Sequence, residues 1–296
     1  MTPERKPTRA STKTTSLAGS KNVKSAFHNS AFTLVEMLVV ISIIGILAAI
    51  TMPVVGNFRK ADSMLAATRQ MQDDVERARM LAISQRTTVY MIFCPSNFWN
   101  DQPAYGALSP AETSKAQRLY DKQLVAYTFV TMRSVGNQPG QVSPRYLSEW
   151  RTLPEGAIIP TFKFVPRSSS IYTTIYDPPL PAGPTLRSFK VQGFSTTNGI
   201  PFPSAEAYNP AIPNQRFVTV PYIAFDHLGQ LVSREDEYVP LAKGNVNQAT
   251  DVNKIPLRQP PTVNEQPPGS STNAFTLVHI EWLTGRARLE KQEFRP

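Results

Sequence analysis

The sequence predicts an α+β fold in which a long N-terminal transmembrane and amphipathic α-helix packs on an antiparallel β-sheet with proline-rich loop insertions. An uncharged apolar run occupies residues 37–58, and good helix formers without Pro or Gly follow at 60–86. Short β-branched and aromatic runs separated by prolines fill the remainder. The 296 residues therefore suffice for a membrane segment and one sizeable soluble domain.

Residues 1–31 form a basic leader that is rich in Ser, Thr and Lys and has no hydrophobic periodicity. Six basic residues against one acidic residue give this leader +5 of the formal net charge of +9. The remaining positive charge is too diffuse to require a polyanionic partner. Because basic residues precede the apolar run, we expect a single-pass membrane protein with a cytoplasmic N-terminus and an extracytoplasmic domain.

The apolar run at 37–58 has 22 uncharged residues, enough to cross the roughly 30 Å hydrocarbon layer as a helix. It is longer than the apolar region of a cleaved secretory signal, so a plain signal anchor is the stronger alternative. Glu36 argues against a plain anchor, because a carboxylate inside the apolar block that begins at Phe32 is costly. It needs a cationic or hydrogen-bonding partner, which makes it a functional hypothesis.

The segment from Ala31 through Phe32 and Glu36, followed by the apolar run, resembles the N-terminal signature of type IV pilins and type II secretion pseudopilins. The resemblance implies that a prepilin peptidase cuts between Ala31 and Phe32 and that the new α-amino group of Phe32 is methylated. It also implies that Glu36 neutralises the N-terminal amine of a neighbouring subunit during filament assembly. Ala31 departs from the family, which usually has Gly there.

The same resemblance implies a helix kink at Pro53, a residue that removes one helical hydrogen bond and also suits a simple membrane exit. Residues 32–58 would then be the transmembrane and filament-core half of the helix. The resemblance therefore implies a protein of the bacterial inner membrane whose soluble domain is periplasmic or extracellular and which joins a filament after assembly. The implied partners are the prepilin peptidase, other pilin or pseudopilin subunits and the inner-membrane assembly platform. The implied function is that of a structural minor subunit of a type IV pilus or type II pseudopilus.

Residues 59–86 form the amphipathic half of the helix. Their apolar and small side chains recur every three or four residues and predict a stripe that packs on the sheet. The stripe comprises Ala61, Met64, Thr68, Met71, Val75, Ala78 and Ala82. A helix over 32–86 would be about 80 Å long, and the absence of heptads disfavours a free coiled coil.

Residues 87–296 are predicted to form an extracytoplasmic β-rich domain. Eleven prolines between 154 and 213 predict an irregular insertion over 154–215 with at most short strands. Residues 274–278 repeat the letters of 31–35, but no apolar run follows them, so they are expected to form a strand. The predicted strands lie at 87–93, 123–132, 216–225 with a return at 230–233, and 274–283 paired with 286–290.

Two turns near the C-terminus resemble the ends of minor pseudopilins of the secretion-protein-H class, with a weaker resemblance to verrucomicrobial pilin-like cassette proteins. They are the F-x-x-x-G turn ending at Gly229 and the segment Gly285-Arg286-Ala287-Arg288. Related DNA-capturing minor pilins carry a similar G-R-x-R, and Arg286 and Arg288 would share one strand face. A structural hairpin is favoured over this nucleic-acid contact, because Glu290 lies nearby.

No catalytic, cofactor or metal motif was found in the sequence, so a non-enzymatic protein is expected. A signal-anchored binding or enzyme domain is the remaining alternative. Cys94 follows an apolar run and is predicted to be a buried, inert thiol. The acidic triplet 235–237 is expected to be a solvated turn rather than a calcium site.

Overall fold

The computed structural model describes residues 33–134, 136–138, 140–167, 191–273 and 275–291, without the side chains of 50–62, 273 and 291. The chain divides into two compact units, Met1–Met52 and Pro53–Pro296. Helix α1 is assigned to Leu34–Gln85. In the second unit this helix packs on antiparallel β-sheets, which confirms the predicted α+β class.

The strands described in the second unit fall into two antiparallel sheets, where the sequence predicted one. The first sheet has the order β3-β2-β1-β6 with β4 also on β2, and the second has β10-β9-β7-β5 with β8 also on β7. The strands are β1 (Val89–Phe93), β2 (Ala126–Thr131), β3 (Arg145–Tyr146), β4 (Arg151–Thr152), β5 (Ala157–Ile158), β6 (Tyr222–Phe225), β7 (Glu237–Asn247), β8 (Thr262–Glu265), β9 (Thr276–Ile280) and β10 (Ala287–Lys291).

The helix covers one face of both sheets. Because side chains alternate along a strand, Met91 and Phe93 of β1 meet the helix, as do Val239 of β7 and Val278 of β9. The predicted stripe is confirmed wherever its side chains are described. Its buried members are Met64, Thr68, Met71, Val75, Ala78 and Ala82.

A polar contact pins the helix to the first sheet within this apolar core. The Tyr127 hydroxyl donates to Oδ2 of the buried Asp74 at 2.5 Å, and Arg151 Nε lies 3.0 Å from the same oxygen. The Gln70 amide donates to the Tyr127 hydroxyl and to the Thr152 carbonyl, each at 2.8 Å. Burial, followed by the bond to Asp74, raises the pKa of Tyr127.

The opposite face of the first sheet is covered by loop residues, some of which belong to the insertion predicted to be irregular. Phe202, Val218 and Val220 are buried against this face together with Phe98 and Trp99. The rings of Phe98 and Phe202 lie 5.0 Å apart, edge to face. Within its described residues the insertion contains only short strands, as predicted, but it also supplies a second core.

The proline-rich segment before β8 also packs on this second core. The Arg258 guanidinium lies 5.0 Å over the Tyr105 ring and donates to the Trp99 carbonyl at 3.0 Å. The segment is therefore fixed in place by one cationic side chain, although it contains few regular backbone hydrogen bonds.

Several elements differ from the sequence prediction. The strand predicted at 216–225 is regular only over β6, because Pro221 has no N–H to donate to a sheet. Its return is a single bridge between Phe225 and Leu231.

Helix α2 (Pro110–Gln117) was not predicted, although Ser109 accepts a hydrogen bond from the Glu112 N–H and Pro110 occupies the first turn. The longest strand, β7, was also missed, because Pro240 and Gly244 interrupt its pattern.

The other helix and strand positions agree with the prediction. Strands β1 and β2 fall inside 87–93 and 123–132, and α1 ends next to the predicted Arg86. The C-terminal pair is β9 and β10, and helix α3 (Ser270–Asn273) precedes it. The segment 274–278, which repeats the letters of 31–35, thus leads into the paired strand β9, as expected.

Candidate functional site

The helix of the N-terminal unit begins with a capping box formed by Thr33 and Glu36. The Glu36 N–H donates to Thr33 Oγ1 at 3.2 Å, and the Thr33 N–H donates to Glu36 Oε2 at 3.4 Å. This reciprocal pair satisfies two of the amides that a helix start leaves unpaired. A carboxylate in the first turn also interacts favourably with the helix dipole.

The capping box changes the interpretation of Glu36 and adds a residue that the sequence analysis did not single out. Glu36 was predicted to need a cationic or hydrogen-bonding partner, and Thr33 provides hydrogen bonds within the same chain. The T-x-x-E spacing was visible in the sequence. The N–H and hydroxyl groups of Thr33 are neutral donors. They do not supply the positive counter-charge that was also expected for Glu36.

The apolar side chains that follow are exposed on every side of the helix. The five consecutive residues 37–41 cover more than a full helical turn, and each is at least 42% exposed. Ser42, the polar residue after them, donates its hydroxyl to the Leu38 carbonyl at 2.8 Å. The large exposed apolar residues of this segment are Leu34, Val35, Met37, Leu38, Val39, Val40, Ile41, Ile43, Ile44, Ile46 and Leu47.

No helix within the described residues combines the length and the apolarity needed to cross a membrane.

Four predictions for the N-terminal segment depend on residues or side chains that lie outside the described part of the structure. Ala31 and Phe32 lie outside the described residues, and so does the side chain of Pro53, although its backbone belongs to α1. The side chains of 50–58 in the predicted span also lie outside the description. The cleavage, the methylation, the kink and the span therefore stay predictions.

The two motif turns near the C-terminus contact each other over helix α1. A Cβ on Gly285 would lie 2.0 Å from the Gly229 carbonyl oxygen, and both glycines have positive φ, +63° and +81°. Arg79 of the helix donates from Nε to the Thr284 carbonyl at 2.7 Å. The shared motif thus holds two turns and a helix together.

Side chains of helix α1 also make hydrogen bonds to the backbone at the outer edge of β10. Gln72 donates to the Ala287 carbonyl at 3.2 Å, and the Ala287 N–H donates to Glu76 Oε1 at 3.3 Å. Backbone groups of an edge strand that would otherwise be open are thus paired with side chains.

Arg286 and Arg288 lie exposed on the same face of the last hairpin, as predicted. Arg288 is 3.4 Å from Glu281 Oε2. The same face carries Glu290, which lies 2.7 Å from His279 Nδ1. The arginines therefore face carboxylates, which reduces the attraction of this surface for phosphate groups.

The acidic triplet 235–237 is not a solvated turn, so that expectation was wrong. Glu237 is buried against Lys163 and accepts from Arg167 at 2.7 Å, while Glu235 also accepts from Arg167 at 2.7 Å. Asp236 accepts from the Trp282 N–H at 2.9 Å. Burial lowers the pKa of Lys163, and the charge of Glu237 opposes that shift.

Cys94 is fully buried, which confirms its predicted place in the core. Its Sγ lies 3.8 Å from the Leu119 carbonyl, and burial raises the pKa of the thiol well above its ordinary value. A thiol held in its neutral form is a poor nucleophile, so the residue is inert at neutral pH.

Comparison with known proteins gives one match. A family model described as the prokaryotic N-terminal methylation motif matches residues 27–52. No curated protein and no solved structure matches the chain. The match includes the capping box and the exposed apolar segment, and it shows that the chain carries this motif.

Proposed function

We propose that this pilin-like protein, which carries a prepilin cleavage and methylation motif, is a structural minor subunit of a type IV pilus or a type II secretion pseudopilus. Proteins with this motif are generally structural and not enzymes, and the motif implies a membrane-anchored, exported protein. The single observation that carries the proposal is the match at 27–52, which extends over the start of helix α1, where the apolar residues are exposed all round.

An apolar surface on every side of a helix must be covered by lipid or by other helices. In a subunit that moves from a membrane into a filament, lipid covers these side chains first, and the helices of other subunits cover the same side chains afterwards. In the proposed role, the peptidase cuts between Ala31 and Phe32, and the methylated Phe32 becomes the first residue. The inner-membrane assembly platform then adds the subunit to others.

Glu36 has a distinct part in this proposal. Its carboxylate accepts hydrogen bonds from Thr33, but an ion in apolar surroundings is stabilised further by an opposite charge. The α-amino group of Phe32 on a neighbouring subunit would supply that charge. The capping box holds the carboxylate at the start of the helix, close in sequence to the amine that cleavage would create.

Mass spectrometry of the protein from its own membranes tests the processing step. We expect an N-terminal Phe32 carrying a methyl group, and an intact leader in cells that lack the prepilin peptidase. Processing at any other position, or an unprocessed chain in wild-type cells, would contradict the proposal and favour a signal-anchored domain.

Glu36→Gln tests the assembly step separately from helix capping, because Gln also completes a capping box but carries no charge. We expect the variant to be cleaved and to remain in the membrane but to be lost from sheared filament fractions. Thr33→Val, which removes the hydroxyl and keeps the charge, is the matched control and should be incorporated. Normal incorporation of the Glu36→Gln protein would show that the charge is not used.

A DNA-capturing minor pilin that uses Arg286 and Arg288 is supported less well. Both side chains are exposed, but Arg288 lies 3.4 Å from Glu281, and Glu290 adds a second carboxylate on the same face. Salt-sensitive binding of duplex DNA that disappears when both arginines are replaced by Gln would favour capture instead.

A further inference from the structure

A cavity of about 400 Å³ lies where helix α1 ends and strand β1 begins. This volume falls within the range of roughly 300–1,000 Å³ that small-molecule sites occupy. Its lining includes Arg86, Thr87, Thr88, Arg133, Ser134 and His227. None of the described residues that line it is Asp or Glu.

Arg86 lies in an unfavourable backbone conformation at the end of the helix. Its φ is +49°, in the left-handed region, and the Thr87 N–H donates back to the Ala82 carbonyl at 3.2 Å, which closes a helix-ending turn. Gly or Asn is usual at this position, and a long side chain costs about 1 kcal/mol there. The unfavourable φ therefore motivates a functional hypothesis for the Arg86 side chain.

The guanidinium groups at this cavity have few competing partners. Among the ion pairs of the described residues, none includes Arg86 or Arg133. Arg133 makes one long contact of 3.5 Å to the Gln138 carbonyl. Arg145, a third guanidinium, donates to the lining residue Gln85 at 2.9 Å. The helix end contributes about half a negative charge, which two full positive charges exceed.

We propose that this cavity binds a small acidic sugar, with the sugar carboxylate held by Arg86 and Arg133. Planar guanidinium groups suit a planar carboxylate, because they can donate two parallel hydrogen bonds to it. The hydroxyls of Thr87, Thr88 and Ser134 can exchange hydrogen bonds with sugar hydroxyls, since each both donates and accepts. Tyr90 and Met132, which also line the cavity, offer an apolar surface to the sugar ring.

Duplex DNA fits the cavity less well. A phosphate backbone is bound by an extended array of positive side chains, whereas these lie around one concave site. The mixture of hydroxyl, amide and apolar groups instead suits a compact ligand with one anionic group. The proposal does not depend on pilus or pseudopilus assembly, because it uses only residues of the second unit.

Isothermal titration of the full-length protein in detergent at low salt tests this site, with glucuronate as the probe. We expect a dissociation constant of about 0.1–1 mM, a value typical of a few charge-assisted hydrogen bonds. Glucose, inorganic phosphate and a short DNA duplex serve as comparison ligands. Each should bind at least about tenfold more weakly than glucuronate.

Two variants and one control separate binding from folding. Arg133→Gln and Arg86→Gly should each weaken glucuronate binding at least about tenfold. Arg86→Gly should also raise the unfolding temperature, because Gly tolerates the left-handed conformation, so lost binding could not come from misfolding. Arg118→Gln removes an exposed charge outside the cavity and should leave binding unchanged.

Three outcomes would overturn the proposal. The first is no glucuronate binding by the wild-type protein. The second is unchanged binding by Arg86→Gly or Arg133→Gln. The third is binding of glucose, phosphate or the DNA duplex as tight as that of glucuronate, which would refute an acidic sugar as the ligand.

Discussion

Two glycines illustrate how single residues set the geometry of the C-terminal part of the protein. Gly229 and Gly285 both have positive φ, and the carbonyl of the first lies where a Cβ on the second would be. Arg79 packs against both turns from the helix. The requirement for glycine is therefore steric as well as conformational, and it couples three segments that are far apart in sequence.

Gly285→Ala should lower the free energy of unfolding by more than about 2 kcal/mol, because it adds a close contact to an unfavourable φ. Gly136→Ala is the control, since it has positive φ but open space around the added Cβ. It should cost only about 1 kcal/mol. Denaturant unfolding of the full-length proteins in detergent measures both changes. Equal losses would mean that the contact with Gly229 is relieved without cost.

At the scale of elements, helix α1 combines two surfaces of different chemistry. Its first part exposes apolar residues all round, and its later part buries one stripe against the sheets. The polar contact of Asp74 with Tyr127 and Arg151 lies beside that buried stripe. It fixes the position of the helix along the first sheet, which apolar packing alone specifies less strictly.

Asp74→Ala should destabilise the protein by about 2–3 kcal/mol, because it leaves the Tyr127 hydroxyl without its buried acceptor and removes the negative charge beside Arg151. Asp73→Ala, at the adjacent exposed position, should change stability by less than about 0.5 kcal/mol. Thermal unfolding of both variants provides the comparison. A similar effect of the two substitutions would exclude a specific role for the buried carboxylate.

At the scale of the whole molecule, the second unit buries aromatic residues on both faces of its first sheet. Tyr127 lies on the helix side and Tyr105 on the loop side, and burial raises the pKa of both phenols. An ionised phenolate is poorly tolerated in either core. The unfolded chain, in contrast, ionises its tyrosines near pH 10.

The protein should therefore lose stability as the pH rises above 10. A group whose pKa is raised in the folded state stabilises fully below its unfolded pKa, and each such tyrosine removes about 1.4 kcal/mol per pH unit above it. Tyr105→Phe should give a smaller slope than the wild-type protein between pH 10 and 11.5. Lys163 acts with the opposite sign below about pH 10.5, but it is common to both proteins and cancels. Identical slopes would contradict the predicted effect of Tyr105.

The difference between sequence and structure is clearest in the loops. The stripe of α1 could be predicted from its helical spacing, and β1 and β2 from their β-branched and aromatic residues, because both signals are local in the chain. The burial of Phe202 could not, because the irregular insertion around it has no period. Strand β7 was not predicted either, because Pro240 and Gly244 interrupt its pattern, and its partners β5 and β9 lie far away in sequence.

The methylation motif, the apolar segment with Glu36 and its capping-box spacing from Thr33, and the α+β class can all be read from the sequence, because each depends on local composition and spacing. The pairing of the triplet 235–237 and the cavity shared by Arg86 and Arg133 come from the folded structure alone. These contacts join residues that lie far apart in the chain. Their pairing depends on the register of strands and on side-chain packing, which a linear pattern does not specify.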